Sequence, residues 1–354
     1  MFEYLIFIFI GAVLFLVADI TRKRGFDKLT IDRYINKNKL NINEEFTITT
    51  IVENKKGLSI SYLNLKQALP SNVILSRSFE GEDLYKFKIG KNQRIKRSVK
   101  GKISKRGVYL FDGIEASVGD MFGFSFNTKK FDNYNEVIVY PKLVPIENFK
   151  VKNLGSLGDR VIRRWLAEDN LYIKGIRDYS VNDRMKDINW KASSRMSKLM
   201  VNEYDSTSNM KLSIILNVQC GEPYWKNIKP ELIEKAIEMS ISLTKNSIKF
   251  GVETGFYTNA MLTGMSSREF KGVFPSLKSF EIVAEICARI GYDINGCLDV
   301  YFKKNRNIFD RNTVYVLITC FMDENIKSQI SAMKRLGINL KIIDVSCDDG
   351  VYYE

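Results

Sequence analysis

The hydrophobic pattern of this 354-residue chain changes its period part-way along, and that change restricts the fold more than any other feature. Between residues 29 and 143 apolar side chains alternate with polar ones. Phe46, Ile48, Thr50 and Val52 do so, then Tyr85, Phe87 and Ile89, then Val137 and Val139. A period of two is that of a strand with one face buried. Residues 54–57 (Asn-Lys-Lys-Gly), Asp112-Gly113 and Gly119-Asp120 supply turn chemistry between such runs. Many short strands with no helical stretch predict a β-sandwich over residues 29–143. From residue 211 onward the pattern is different. The run at 212–218 is almost wholly apolar, as buried parallel strands are. Pro230 opens a segment with Ile233, Ile237 and Ile241 four apart, the spacing of one helix face. Residues 251–257 read as a strand. Phe280, Val283, Ile286, Cys287 and Ile290 form a second amphipathic helix, and 314–318 another buried strand. Ile326, Ile330, Met333 and Leu336 form a third helix, closed by Gly337, and 338–345 a last strand. This alternation predicts a doubly wound parallel sheet over residues 211–354, with 144–210 as a connector.

The amino terminus is nearly unbroken hydrocarbon from residue 4 to 18, and Arg22, Lys23 and Arg24 follow at once. With Phe2 and Ile20 the run approaches the ~20 residues of a bilayer-spanning helix. A secretory signal carries its positive charge before the apolar run, not after it. The order found here predicts an uncleaved single-pass anchor over residues 1–21. By the positive-inside rule the remainder faces the cytoplasm at the cell membrane.

Composition narrows the chemistry. The chain has 54 Lys+Arg against 41 Asp+Glu, a formal charge of +13, and no histidine. The missing imidazole excludes Ser-His-Asp and Cys-His catalysis and removes the commonest metal ligand. Five cysteines, Cys220, Cys287, Cys297, Cys320 and Cys347, show no CxxC spacing, which argues against a zinc site or a disulfide framework. They read as reduced core thiols. The positive balance favours an acidic protein face, anionic lipid or nucleic acid as partner, with no long basic block to single out nucleic acid.

The densest polar segment lies in mid-chain: Arg177, Tyr179, Asp183, Ile188, Trp190, Lys191, Arg195, then Leu199, Val201 and Glu203. In this order and spacing the residues resemble the signature of the bacterial domain of unknown function family fifty-eight. Asn182, Met185 and Lys186 stand where that pattern usually has Gly, Pro and Arg. Upstream, Arg106-Gly107, Gly119-Asp120 with Phe122-Gly123, and Tyr140-Pro141 add to the likeness. The resemblance implies an α+β multidomain protein: a transmembrane helix, a β-sandwich, and a von Willebrand A-like doubly wound domain. It also implies work beside a MoxR-type AAA+ ATPase in assembly of envelope complexes. The von Willebrand A fold holds Mg²⁺ through an Asp-x-Ser-x-Ser pattern after its first strand. This chain has Asn217, Gln219 and Gly221 there, with Thr258 and Asn259, and Thr319, Cys320 and Phe321, at the neighbouring strand ends. Hard cations want carboxylates, so neither a metal nor a cofactor is expected.

Two readings of the signature segment compete. In one, Asp183 and Glu203 pair with Arg177 and Arg195 while Trp190 fills a joint between the two domains. In the other, the same residues form a recognition face. A catalytic Asp183/Asp187 pair, making the chain a hydrolase, is a third possibility. The basic residues 160–168 suit a connecting arm, the glycines at 155–158 lack the Lys-Ser/Thr of a phosphate loop, and the aromatic stretch 120–126 reads as a core strand. The sequence thus predicts a membrane-anchored, cytoplasm-facing, non-enzymatic protein-binding scaffold or adaptor. A basic adaptor for anionic lipid or nucleic acid is an alternative.

Overall fold

The computed structural model describes residues 2–76, 82–119, 126–145, 173–181, 183, 185–204, 211–264, 270–346 and 351–353. The basic residues 160–168, the glycine run 155–158, most of the aromatic stretch 120–126, and Cys347 lie outside them. The chain divides into two compact units, Met1–Lys142 and Leu143–Glu354.

The first unit begins with helix α1 (Phe2–Lys23). Its end is tied down: Lys56 Nζ donates to the carbonyls of Arg24, at 2.7 Å, and Gly25. These are carbonyls of the turn that follows the helix, and Arg24 O also accepts from Asp27 N at 3.2 Å. Eleven strands follow: β1 (Leu29–Ile35), β2 (Lys39–Asn41), β3 (Phe46–Asn54), β4 (Ile60–Ala68), β5 (Val73–Leu75), β6 (Glu82–Ile89), β7 (Gln93–Ile103), β8 (Gly107–Phe111), β9 (Ile114–Gly119), β10 (Phe126–Phe131) and β11 (Asn135–Tyr140). One antiparallel sheet runs β1-β3-β7-β5 and another β10-β9-β4-β6, with β2-β11-β8 as a smaller third. Burial along β3 follows the period of two read from its sequence. Ile31, Phe46, Ile48 and Val99 from the first sheet share one core with Leu63, Leu65, Ala116 and Val118 from the second. The unit is therefore a β-sandwich. Inside it Arg33, 3 % exposed, donates to the carbonyls of Phe111 (2.8 Å), Asp112 (2.6 Å) and Asn133.

The second unit contains the paired strands β12 (Ile173–Asp178) and β13 (Met200–Tyr204), with the short helix α2 (Trp190–Met196) between them. A six-stranded sheet follows. Its members are β14 (Lys211–Asn217), β15 (Glu253–Thr258), β17 (Val273–Ser276), β19 (Thr313–Thr319), β20 (Leu340–Asp344) and β21 (Val351–Tyr353), in the order β17-β15-β14-β19-β20-β21. Strands β15, β14, β19 and β20 run parallel; β17 and β21 join antiparallel at the edges. Helices α3 (Pro230–Lys249), α4 (Phe280–Arg289), α5 (Leu298–Lys304) and α6 (Glu324–Arg335) complete it, with a two-stranded ribbon of β16 (Ala260–Leu262) and β18 (Ile290–Ile294). Pro230 occupies the first turn of α3, whose buried Ser240 and Thr244 hydroxyls donate back to Ala236 O (2.7 Å) and Ser240 O (2.8 Å). Asp323 caps α6 by accepting from Ile326 N at 2.7 Å, and Gly337 ends it with φ +82°.

Three expectations are corrected. Among the described residues no helix is long and apolar enough to cross a membrane, so the single-pass anchor and the membrane placement that followed from it are not supported. Within the 22-residue α1 the uncharged stretch between Glu3 and Asp19, residues 4–18, spans about 22 Å at ~1.5 Å per residue, against a hydrocarbon core of about 30 Å. Asp19 ends that run, in an ion pair with Lys23 at 2.8 Å. Second, the α+β class does not hold: among the described residues strand (42 %) outweighs helix (27 %). Third, the carboxyl-terminal sheet is mixed, because β17 and β21 add antiparallel edges that the apolar runs gave no sign of. The von Willebrand A likeness is taken up below with the known proteins.

Candidate functional site

The signature residues fold into one small module of the second unit. β12 and β13 pair antiparallel, Asp178 opposite Met200, and Ile188 adds an isolated bridge to Val201. Ile188, Met200 and Val201 are buried and form the module's apolar interior. Asn189 and Ser193 fix α2 on it. Asn189 Oδ1 accepts from Ala192 N at 3.0 Å, a helix N-cap, while its Nδ2 donates to Asn202 Oδ1 at 2.8 Å. Ser193 Oγ donates to Asn189 O at 2.8 Å and accepts from Met200 N at 2.9 Å. Neither role was read from the sequence, although an Asn just before a helix is a recognisable cap signal.

Arg177 lies on β12, and its guanidinium donates to both oxygens of Asp183, at 2.7 and 2.5 Å. Asp183 also accepts from Ser180 N at 2.7 Å. The Arg177 hydrogen bonds, helped by the Ser180 amide, hold the Asp183 carboxyl down at about 2. The anticipated Arg177–Asp183 pair is therefore present, and it is a clasp on the loop rather than an interior bond. Tyr179 N donates to Leu199 O at 3.0 Å. Glu203 sits on β13 opposite Gly175, and Lys191 and Arg195 are exposed one helical turn apart on α2. Asp187 belongs to a 3-10 turn, Met185–Asp187.

Trp190 departs from the joint-filling role. Its side chain is 65 % exposed at the first position of α2. The same module exposes Val181, Met185, Met196 and Leu199. Trp190 opens α2, a seven-residue helix in which Ser193 is the buried residue.

A second place of interest is the carboxyl end of the parallel strands, where open sheets bind ligands beside the point at which strand order reverses. Here β14 is flanked by β15 and β19. Asn217, Asn259 and Thr319 form a buried network. Asn217 Oδ1 accepts from Gln219 N (3.1 Å) and Asn259 Nδ2 (2.9 Å), and its Nδ2 donates to Thr319 Oγ1 (2.9 Å). Asn259 Oδ1 accepts from Val218 N at 3.1 Å, and Thr319 Oγ1 donates to Phe321 O at 2.6 Å. Both lone-pair directions of the Asn217 carbonyl are thus engaged within the chain. Among the described residues no group of three or more Cys, Asp or Glu stands close enough to hold a metal ion.

Beside this network is a cavity of about 630 Å³ lined by Cys220, Lys229, Cys320, Phe321 and Asp344, among others. Cys220 Sγ donates to Val218 O at 3.6 Å. The neighbouring Cys320 thiol first, with the Lys229 backbone and positive charge behind it, draws the Cys220 thiol down. The Cys220 sulfur and burial push Cys320 up. These two cysteines, a hundred positions apart, were read separately as core thiols. Their shared position just beyond two neighbouring parallel strands is the signal that joins them.

No family model matches the chain. Among curated proteins it is similar to the uncharacterized protein YeaD of Bacillus subtilis, 20 % identical over 227 residues, covering 63 % of this chain and 54 % of that protein. The chain thus spans about half the length of this relative. Among solved structures it is similar to a CARDB domain from Pyrococcus furiosus (15 % identity, TM-score 0.22, 31 % of this chain and 91 % of that one). It is also similar to a non-cellulosomal cohesin from Archaeoglobus fulgidus (12 %, 0.22, 31 % and 91 %). A Clostridium perfringens cohesin module is a third (14 %, 0.23, 31 % and 96 %). These neighbours are β-sandwich domains. The expected von Willebrand A likeness is withdrawn on the fold itself, which is strand-rich and whose carboxyl-terminal sheet is mixed. At such TM-scores they carry no argument about function.

Proposed function

We propose that the chain is a non-enzymatic protein-binding scaffold whose recognition face is the β12–α2–β13 module. The observation that carries this reading is the exposure of Trp190, together with Val181, Met185, Met196 and Leu199, on a module held rigid from beneath by Asn189 and Ser193. Aromatic and Met side chains are enriched at interfaces relative to the rest of a protein surface, and grouped exposure of them marks interaction sites. Lys191 and Arg195 lie beside Trp190 on the same short helix, so the complementary surface is apolar at its centre and acidic at its edge. The resemblance of the signature segment to family fifty-eight makes a MoxR-type AAA+ ATPase the leading partner. The hydrolase alternative is weakened by the Arg177 clasp, because a carboxyl held at about 2 is a poor proton carrier near neutrality.

The test is a binding titration of the purified full chain against the MoxR-type ATPase of the same bacterium. Trp190→Ala is expected to weaken binding about 30-fold, the effect of an interface anchor worth ~2 kcal/mol, with little change in melting temperature. Unchanged affinity in this variant, or no binding of the ATPase by the wild type at low salt, overturns the proposal.

A further inference from the structure

We propose that Cys220 and Cys320 are a dithiol site, oxidised to an intramolecular disulfide by a low-molecular-weight disulfide that enters the cavity they line. The placement comes from the sheet. β14 and β19 are parallel neighbours, in register through Asn217 and Thr319. Cys320 follows Thr319 directly, whereas the chain beyond Asn217 turns so that Cys220 Sγ faces Val218 O at 3.6 Å. Both sulfurs line the same cavity of about 630 Å³, a size typical of small-molecule sites. The two strand ends are adjacent and both side chains border the one cavity, so the sulfurs share a common space in which to meet.

The two cysteines have different parts. Lys229, which immediately precedes α3, lines the cavity with Cys220, and its positive charge favours the Cys220 thiolate. Thiolates are stabilised in such surroundings and are the attacking species in disulfide exchange. Cys320 is more deeply buried and faces the Asp344 carboxylate, which disfavours its ionisation. Cys220 thiolate therefore attacks one sulfur of the external disulfide, forming a mixed disulfide and releasing one small thiolate. Cys320 then gives its proton to the released thiolate or to solvent, and its sulfur attacks Cys220 Sγ. The second small thiolate leaves. Two protein thiols are oxidised and one external disulfide is reduced to two thiols.

The experiment treats the full-length chain at neutral pH with hydroxyethyl disulfide and follows intact mass and peptide maps. The wild type is expected to lose two of its five thiols, with no lasting adduct, and to yield a peptide linking Cys220 to Cys320. Cys320→Ser should instead hold a stable adduct on Cys220, and Cys220→Ser should leave Cys320 unmodified. Cys220 should react at least about 10-fold faster than the half-buried Cys297, whose thiol is pushed up by burial. A lasting wild-type adduct on Cys220 beside a free Cys320, a linkage to any other cysteine, or no reaction at Cys220 overturns the proposal. The wild-type map decides the matter even if a serine variant fails to fold.

Discussion

Replacing Asn217 by alanine tests whether the strand-end network is structural. The side chain is wholly buried and makes three hydrogen bonds. Its loss orphans the Gln219 N–H and one N–H of Asn259. Thr319 Oγ1 is less affected, because it keeps its bond to Phe321 O and accepts from Phe321 N at 3.2 Å. Each buried donor left without a partner costs about 1–3 kcal/mol, so the expected loss is about 2–5 kcal/mol. For a unit of this size that lowers the melting temperature by about 5–15 °C. Urea unfolding and calorimetry of the full chain should show the loss in the transition of residues 143–354, and not in that of the sandwich. Asn217→Asp separates the roles. It keeps both acceptor contacts but cannot donate to Thr319 while ionised. Burial should raise the folded pKa of this new carboxyl above its unfolded value. The stability it retains is then fully present in acid and falls away as the pH rises through the folded pKa. A loss below about 1 kcal/mol in Asn217→Ala, well under one orphaned amide, would refute the reasoning.

The remaining predictions concern the sandwich and the loop clasp. Arg33→Ala removes the donors to three carbonyls and should cost about 3–5 kcal/mol in the sandwich transition; urea unfolding with a change under 1 kcal/mol counts against it. Arg33 is drawn down to about 10 by its burial, so it stays charged under ordinary conditions and its contribution should not vary between pH 5 and 8. The Asp183 clasp, with its carboxyl below the usual 3.8, should hold above about pH 4 and open as the pH falls through about 2. NMR titration of that carboxyl should show the low midpoint in the wild type and a return towards 3.8 in Arg177→Gln. A wild-type midpoint near 4 rules the clasp out.

Period alone was enough to place the long elements. β3 buries every second residue, and α3 buries Ile233, Ile237 and Ile241, because in both the apolar face is wide enough to fix which side turns inward. Short elements were not legible. β2, β5 and β16 have three residues each, too few to display a period, and their pairing is set by partners distant in sequence. The same holds for the sheet edges: β17 joins β15 through an irregular register that no local pattern encodes. At the signature segment the residue types were legible and their environment was not. Trp190 reads as buried because tryptophan is highly buried on average; in the short α2 the buried residue is instead Ser193, tied to Met200 N through its hydroxyl.

The strand-end amides and the exposed module fit one physical account. An open parallel sheet attracts ligands at its carboxyl end when donors and acceptors there lack partners within the chain. In this chain Asn217, Asn259 and Thr319 satisfy one another and the adjoining backbone, so a cation at Asn217 would have to displace existing hydrogen bonds without a carboxylate to compensate it. That network stabilises the sheet and leaves the Asn217 carbonyl without a free lone pair for a cation. The β12–α2–β13 module has the opposite character: Asn189 and Ser193 are bonded inward, while Trp190, Val181, Met185, Met196 and Leu199 face water. Exposed apolar area is the larger unsatisfied term of the two, and covering it with a partner releases free energy without breaking a bond inside the chain. A partner is therefore expected on the module rather than on the sheet end. Combining Trp190→Ala with Asn217→Ala distinguishes the two surfaces, since the first should change affinity without stability and the second stability without intrinsic affinity.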